Sequence, residues 1–120
     1  MTQKANLAAL FGATDASTFL GLAAVSLTDH IDASSVFLGV PCATPYAAVG
    51  AYAAQGPASI RKGGASLTAN LDRYNFDLGG PVFPNGVKAA CDAGDLSWSD
   101  EDFAANRALI SNAVKHIIAH

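Results

Sequence analysis

Apolar positions along the chain fall into short runs separated by turn-forming residues. Ser35-Val36-Phe37-Leu38-Gly39-Val40 shows no polar alternation and is ended by Pro41. That pattern predicts a strand buried on both faces, as in a parallel sheet. Residues 42–55 follow, rich in Ala, Gly, Pro and Tyr without helical periodicity, and predict a long loop of the functional kind. Gly56-Pro57 opens a helix, because proline at the first helical position lacks an N–H that would be unpaired anyway. Ile60 is expected to face the core and Arg61 the solvent, and Gly63-Gly64 ends or interrupts the helix. Residues 67–86 carry turn signals at Asn75, Gly79-Gly80-Pro81 and Pro84-Asn85-Gly86 and predict irregular structure. Val87-Lys88-Ala89-Ala90-Cys91 predicts a second strand, stopped by Asp92-Ala93-Gly94-Asp95.

The clearest periodicity comes last. Ser97 or Ser99 can cap a helix whose first turn holds Asp100, Glu101 and Asp102, where the helix dipole favours negative charge. Phe103, Ile110, Val114 and Ile117 then recur at helical spacing and predict the buried stripe. The pattern reaches His120 with no glycine or asparagine cap, so the chain is expected to stop where a next strand should begin. Towards the N-terminus there is only a weak helix at residues 6–11 and an ambiguous stretch at residues 19–27. Strand, loop, helix, strand, helix opens an α/β fold with a parallel sheet. Two strands are too few for a whole parallel sheet, so residues 1–120 are expected to form a single, incomplete α/β domain.

Composition points the same way. Charged residues make up 14% of the chain against about 25% in an ordinary domain, while 51% are hydrophobic. A body so poor in charge is expected to hide surface, in an oligomer or a larger fold. The net charge of −3 and the scattered Lys and Arg offer no basic patch, which sets aside nucleic acid and anionic membranes. Residues 33–60 carry no charge and are long enough to span a bilayer, but Pro41, Pro45 and Pro57 with Gly39, Gly50 and Gly56 break any continuous helix. Cys42 and Cys91 lie far apart outside any C-x-x-C and are read as free thiols of a cytoplasmic protein. The apolar run beginning at Leu7 is cut by Thr14-Asp15, too short for a secretory leader.

Candidates for chemistry are few. His116 and His120 share a helix face, yet no third ligand accompanies them, and His30 sits in a polar turn. Phosphate-binding glycine motifs and the G-x-S-x-G elbow are absent. Cys42 follows the first strand on the edge where open α/β sheets hold ligands, without an identifiable base. Asp92 and Asp95 follow the second strand on that edge. They could bind a cation or work as acid and base. The favoured reading is structural: Asp92 accepts loop amides while Gly94 permits a tight turn.

The motifs together resemble one family. Val36-Phe37-Leu38-Gly39-Val40-Pro41, Gly50-Ala51 and Gly56-Pro57-Ala58-Ser59-Ile60-Arg61 look like the opening of the ureohydrolases, the arginase, agmatinase and guanidinobutyrase group. Tyr74-Asn75-Phe76-Asp77 and Val87-Lys88-Ala89-Ala90-Cys91-Asp92-Ala93-Gly94-Asp95 are similar to its N-F-D segment and V-x-D-x-G-D strand end. Thr18-Phe19-Leu20-Gly21-Leu22 resembles the lead-in of agmatinase-like members. The resemblance implies the N-terminal part of a three-layer α/β/α arginase-like fold with a parallel sheet, assembled as trimers or hexamers. It implies hydrolysis of a guanidino C–N bond by water held between two metal ions, manganese or nickel.

The departures matter as much. The family's G-G-D-H, D-A-H-x-D and S-x-D-x-D ligand motifs are absent, so no metal ligand and no catalytic residue is assigned in this chain, which is expected to be inactive alone. Cys42-Ala43 stands where the family has an acid, and Tyr52 where it tends to have arginine. Tyr46 and Tyr52 are the candidate walls of the substrate funnel, packing or subunit contact being the alternative role. Partners implied are further copies or full-length ureohydrolase subunits, with a small guanidino substrate in the complete enzyme. A non-catalytic short paralogue docking on a full-length enzyme, or an unrelated small α/β binding module, are the rival readings.

Overall fold

The computed structural model describes residues 18–42, 48, 50–84, 89–99 and 101–119. Three parallel strands form its sheet: β1 (Ala23–Ala24), β2 (Ser35–Gly39) and β3 (Ala90–Asp95), in the order β1-β3-β2. Helix α1 (Gly56–Gly64) lies between β2 and β3 in the chain, and α2 (Phe103–Ala119) follows β3. The fold is α/β with a small, open parallel sheet. Among the described residues no helix is long and apolar enough to cross a membrane.

The expected second strand is displaced. It starts at Ala90 and runs through Asp95, so the residues expected to stop it form its second half; residues 87 and 88 lie outside the described residues. As the central strand β3 buries Ala90, Cys91 and Asp92 in succession. A buried acid looks like a strand end in sequence, but here its charge is met by partners described below. The first strand is also corrected. β2 is an edge strand among the described residues, so its side chains are alternately exposed and half-buried, with Phe37 41% exposed and only Gly39 buried.

Residues 19–27 resolve into a 3-10 turn at Phe19–Gly21 and the short β1. Leu20 adopts φ 52° there, a left-handed conformation costly for a branched side chain and held by the contacts around it. Thr18 Oγ1 donates to the Leu22 carbonyl at 2.6 Å. Leu22 packs with Leu71 and Ala90, flanked by Phe19, Leu20 and Phe83, as the main apolar cluster. The candidate helix at residues 6–11 lies outside the described residues.

Helix α1 opens with proline in its first turn, as the sequence predicts, and passes at Gly64 into a 3-10 helix over Ala65–Asn70. The irregular stretch after it is pinned by paired Asn75 and Gly80 backbone bonds of 2.8 and 3.1 Å. Helix α2 begins later than expected, at Phe103, so Glu101 and Asp102 precede it and its first turn holds no acid; its cap and stripe differ too. Asp102, not Ser97 or Ser99, caps it, accepting the Ala105 N–H at 2.9 Å. Its least exposed positions are Asn106, Ile110, Ala113 and Ile117, while Phe103 and Val114 are 45% and 43% exposed. The stripe keeps helical spacing but is built on a small and a polar residue. Asn106, buried, grips Ser99 in both directions: its Nδ2 donates to the Ser99 carbonyl at 2.5 Å and its Oδ1 accepts the Ser99 N–H at 3.1 Å. An amide filling both bonds is cheap to bury, whereas one left unpaired is not.

Candidate functional site

At the carboxyl end of the sheet β1 and β3 deliver their last residues to one place. Thr18, Ala24, Val25, Arg61 and residues 92–95 line a cleft of about 330 Å³. This is where open parallel sheets hold ligands. Its centre is Asp92, whose side chain is 1% exposed. Arg61 grips it in a fork: Nε donates to Oδ2 at 2.8 Å and Nη2 to Oδ1 at 2.9 Å. The Phe19 N–H donates to Oδ2 at 2.7 Å and the Gly94 N–H to Oδ1 at 2.9 Å. Four charge-assisted bonds therefore fill this carboxylate.

The same guanidinium holds a second acid. Arg61 Nη1 donates to Asp95 Oδ1 at 2.5 Å. Residues three apart on a regular strand point to opposite faces, so Asp92 and Asp95 should not share a partner. A bulge corrects the parity. Phe37 pairs with Asp92 but Gly39 with Asp95, so β3 spends three steps where β2 spends two. Gly94 supplies the extra residue at φ 73°, a conformation glycine adopts without strain. Gly39 completes the fit, because Asp95 lies directly over its α-carbon.

Electrostatically the cluster is one cation against two carboxylates. The Arg61 hydrogen bonds pull the Asp92 carboxyl down to about 2 against the contrary push of burial, with the Phe19 and Gly94 amides assisting. Arg61 is raised in turn by its bonds to Asp92 and Asp95. The sign follows from linkage: a carboxylate whose folded pKa lies below its unfolded value of 3.8 stabilises the fold above about pH 4. That contribution is lost as pH falls from 4 through 2. Chemical denaturation should show stability dropping across this window, with a shallower drop in Asp92→Asn; equal slopes for both proteins would contradict the assignment. Cys91, buried next to Asp92, has its thiol pushed up by burial and then by that charge.

The structural reading of Asp92 holds in part: its carboxylate accepts backbone amides, from Phe19 and Gly94, but Gly94 serves a bulge inside β3 and not a turn after it. The placement of Ile60 and Arg61 is reversed from expectation. Arg61 turns inward to Asp92, its side chain 15% exposed, while Ile60 is 61% exposed. A guanidinium aimed at a buried carboxylate outweighs one isoleucine on an open face. Sequence reasoning held both acids but missed Arg61 as their partner, although the acid-x-glycine-acid spacing signals a bulge that aligns two carboxylates.

The other candidates are dispersed. Tyr52 is 64% exposed in a 3-10 helix (Tyr52–Gln55) and lines neither the carboxylate cleft nor the apolar cleft described below; Tyr46 lies outside the described residues. Cys42 is half-buried and in no disulfide. His30 and His116 are exposed, and His120 lies outside the described residues. Among the described residues no group of three or more His, Cys, Asp or Glu side chains is placed to hold a metal ion. The two acids that do converge fit a metal poorly, because a guanidinium already occupies the space between them. Comparison with family profiles, curated proteins and solved structures gives no match.

Proposed function

We propose that this chain is the N-terminal scaffold of an agmatinase-like ureohydrolase, a hydrolase of guanidino C–N bonds with a three-layer α/β/α fold. One observation supports the reading above others. The three segments that resemble the family, Thr18-Phe19-Leu20-Gly21-Leu22, Gly56-Pro57-Ala58-Ser59-Ile60-Arg61 and the Asp92-Ala93-Gly94-Asp95 strand end, meet at one carboxylate. Their convergence on one residue accords with segments that belong to one architecture. The parallel sheet with helix α1 in the connection from β2 to β3 accords with the same architecture.

In this reading the chain's own residues position rather than react. Arg61 ties α1 to the end of β3, and Phe19 ties the lead-in to the same acid, so the carboxyl edge of the sheet is rigid. A rigid edge is what a hydrolytic site needs beneath it. The cations that would activate water in a complete family member take their ligands from motifs absent in these 120 residues. The partner-subunit reading, a short paralogue on a full-length enzyme, draws on the exposed edge of β2.

The deciding experiment reads the coding sequence beyond the His120 codon and assays its product. A frame continuing through G-G-D-H, and a full-length protein releasing urea from guanidino compounds with manganese, is the expected result. A continuation without these ligand motifs would overturn the reading. A stop codon, with the chain co-purifying on a full-length ureohydrolase, would establish the partner subunit instead.

A further inference from the structure

We propose that residues 18–21 form a strained strap that lifts off the carboxyl edge of the sheet as a unit, uncovering both clefts while the strands stay paired. The strap is seated on described residues, whatever completes the sheet elsewhere. Its mark is one backbone angle. Among the described residues Leu20 is the only non-glycine with a positive φ, 52°, and Gly21 beside it stands at 66°. Glycine takes that conformation freely, whereas leucine brings its β-carbon too close to a carbonyl oxygen. Strain of this kind persists only where surrounding contacts impose it, and it gathers at clamps and switches.

The contacts that impose it here are specific. The Phe19 N–H donates to Asp92 Oδ2 at 2.7 Å, Thr18 Oγ1 donates to the Leu22 carbonyl at 2.6 Å, and the Phe19 ring lies 4.7 Å from that of Phe37. Gly64 leaves room for the seat: a β-carbon there would lie 3.3 Å from the Phe19 ring and 3.4 Å from Leu20 Cδ2. Leu22, buried in the apolar cluster, fixes the far end of the strap, so the two left-handed residues before it form the pivot. The strap walls two clefts at once. Thr18 lines the carboxylate cleft, and Phe19 lines a second cleft of about 330 Å³, apolar, with Phe37, Leu38, Pro57 and Ile60. Lifting residues 18 and 19 takes a wall from each. Arg61 keeps its fork on Asp92 throughout, so the sheet edge beneath stays in place.

Native-state hydrogen exchange, followed by NMR on the 120-residue chain, tests this. The Phe19, Gly21 and Leu22 amides, bonded to Asp92 Oδ2 and to the Thr18 and Phe19 carbonyls, report the strap. The Val25 and Leu96 amides, bonded to the Asp92 and Gly39 carbonyls, report the sheet. In the wild type the strap amides should share one opening, protected about tenfold less than the sheet amides. That opening should depend little on urea below the unfolding transition, because few residues take part. Leu20→Gly and Leu20→Ala both lose the branched side chain, but only glycine loses the strain. The glycine variant should therefore protect the strap amides about fivefold more than the alanine variant. The wild-type comparison stands even where the alanine variant fails to fold. Strap amides that exchange in step with the sheet amides, or equal strap protection in the two variants, would overturn the proposal.

Discussion

Replacing Arg61 with methionine should destabilise the fold by about 3–5 kcal/mol, the range for stripping one partner from a buried ion pair. The loss is large because Asp92 cannot follow its partner into water. Its side chain is 1% exposed and would keep only the Phe19 and Gly94 amides. Against a total of about 5–15 kcal/mol for a domain, that is enough to unfold a marginal chain. Arg61→Lys should recover little, since an ammonium cannot reproduce the fork on Asp92 and reach Asp95 at once. Urea denaturation followed by circular dichroism reads both variants. A methionine variant within about 1 kcal/mol of wild type would show that the pair is ornamental to stability.

Gly39→Ala comes next in size. A β-carbon at Gly39 would sit 1.7 Å from Asp95 Oδ1, 2.8 Å from its Cγ and 3.1 Å from Pro57 Cβ. The first two distances cannot exist, so Asp95 must leave Arg61, whereas Pro57 need give by only a few tenths of an ångström. Overpacking of this kind costs about 1–3 kcal/mol. A control separates the two contacts. In an Asp95→Ala background the same substitution meets chiefly Pro57, and its cost should fall to less than half. If Gly39→Ala costs as much without the carboxylate as with it, the close approach of Asp95 is not its cause.

Local chemistry was legible in the sequence wherever a residue's role is set by its neighbours. Pro57 marked the start of α1, the long apolar periodicity marked α2, and Gly94 marked a place where the backbone needs a positive φ. What escaped was set by distant residues. Arg61 and Asp92 lie 31 positions apart, and no local pattern announces that an arginine will turn inward to an acid on another element. That pairing explains why β3 runs on through residues that look like a stop, and why Ile60 is left outside. Asn106 and Ala113 in the buried stripe of α2 escaped for a different reason. Hydrophobic periodicity cannot register a polar residue that buries itself by gripping a loop, or a small one that fits where a larger one would not.

Of the candidate site, the sequence held both carboxylates and the glycine between them. The substrate-wall tyrosines rested on resemblance alone: Tyr52 is not among the residues that line the carboxylate cleft, and Tyr46 lies outside the described residues.

Whether one carboxylate joins lead-in, helix and strand is decided most directly by a double-mutant cycle of Arg61→Met and Asp92→Leu, read by urea denaturation. Contact between the two side chains predicts a coupling of about 2–3 kcal/mol, with the double variant more stable than the summed single losses allow. Losses that add to within about 0.5 kcal/mol would mean the two residues act independently, and the common anchor would be gone.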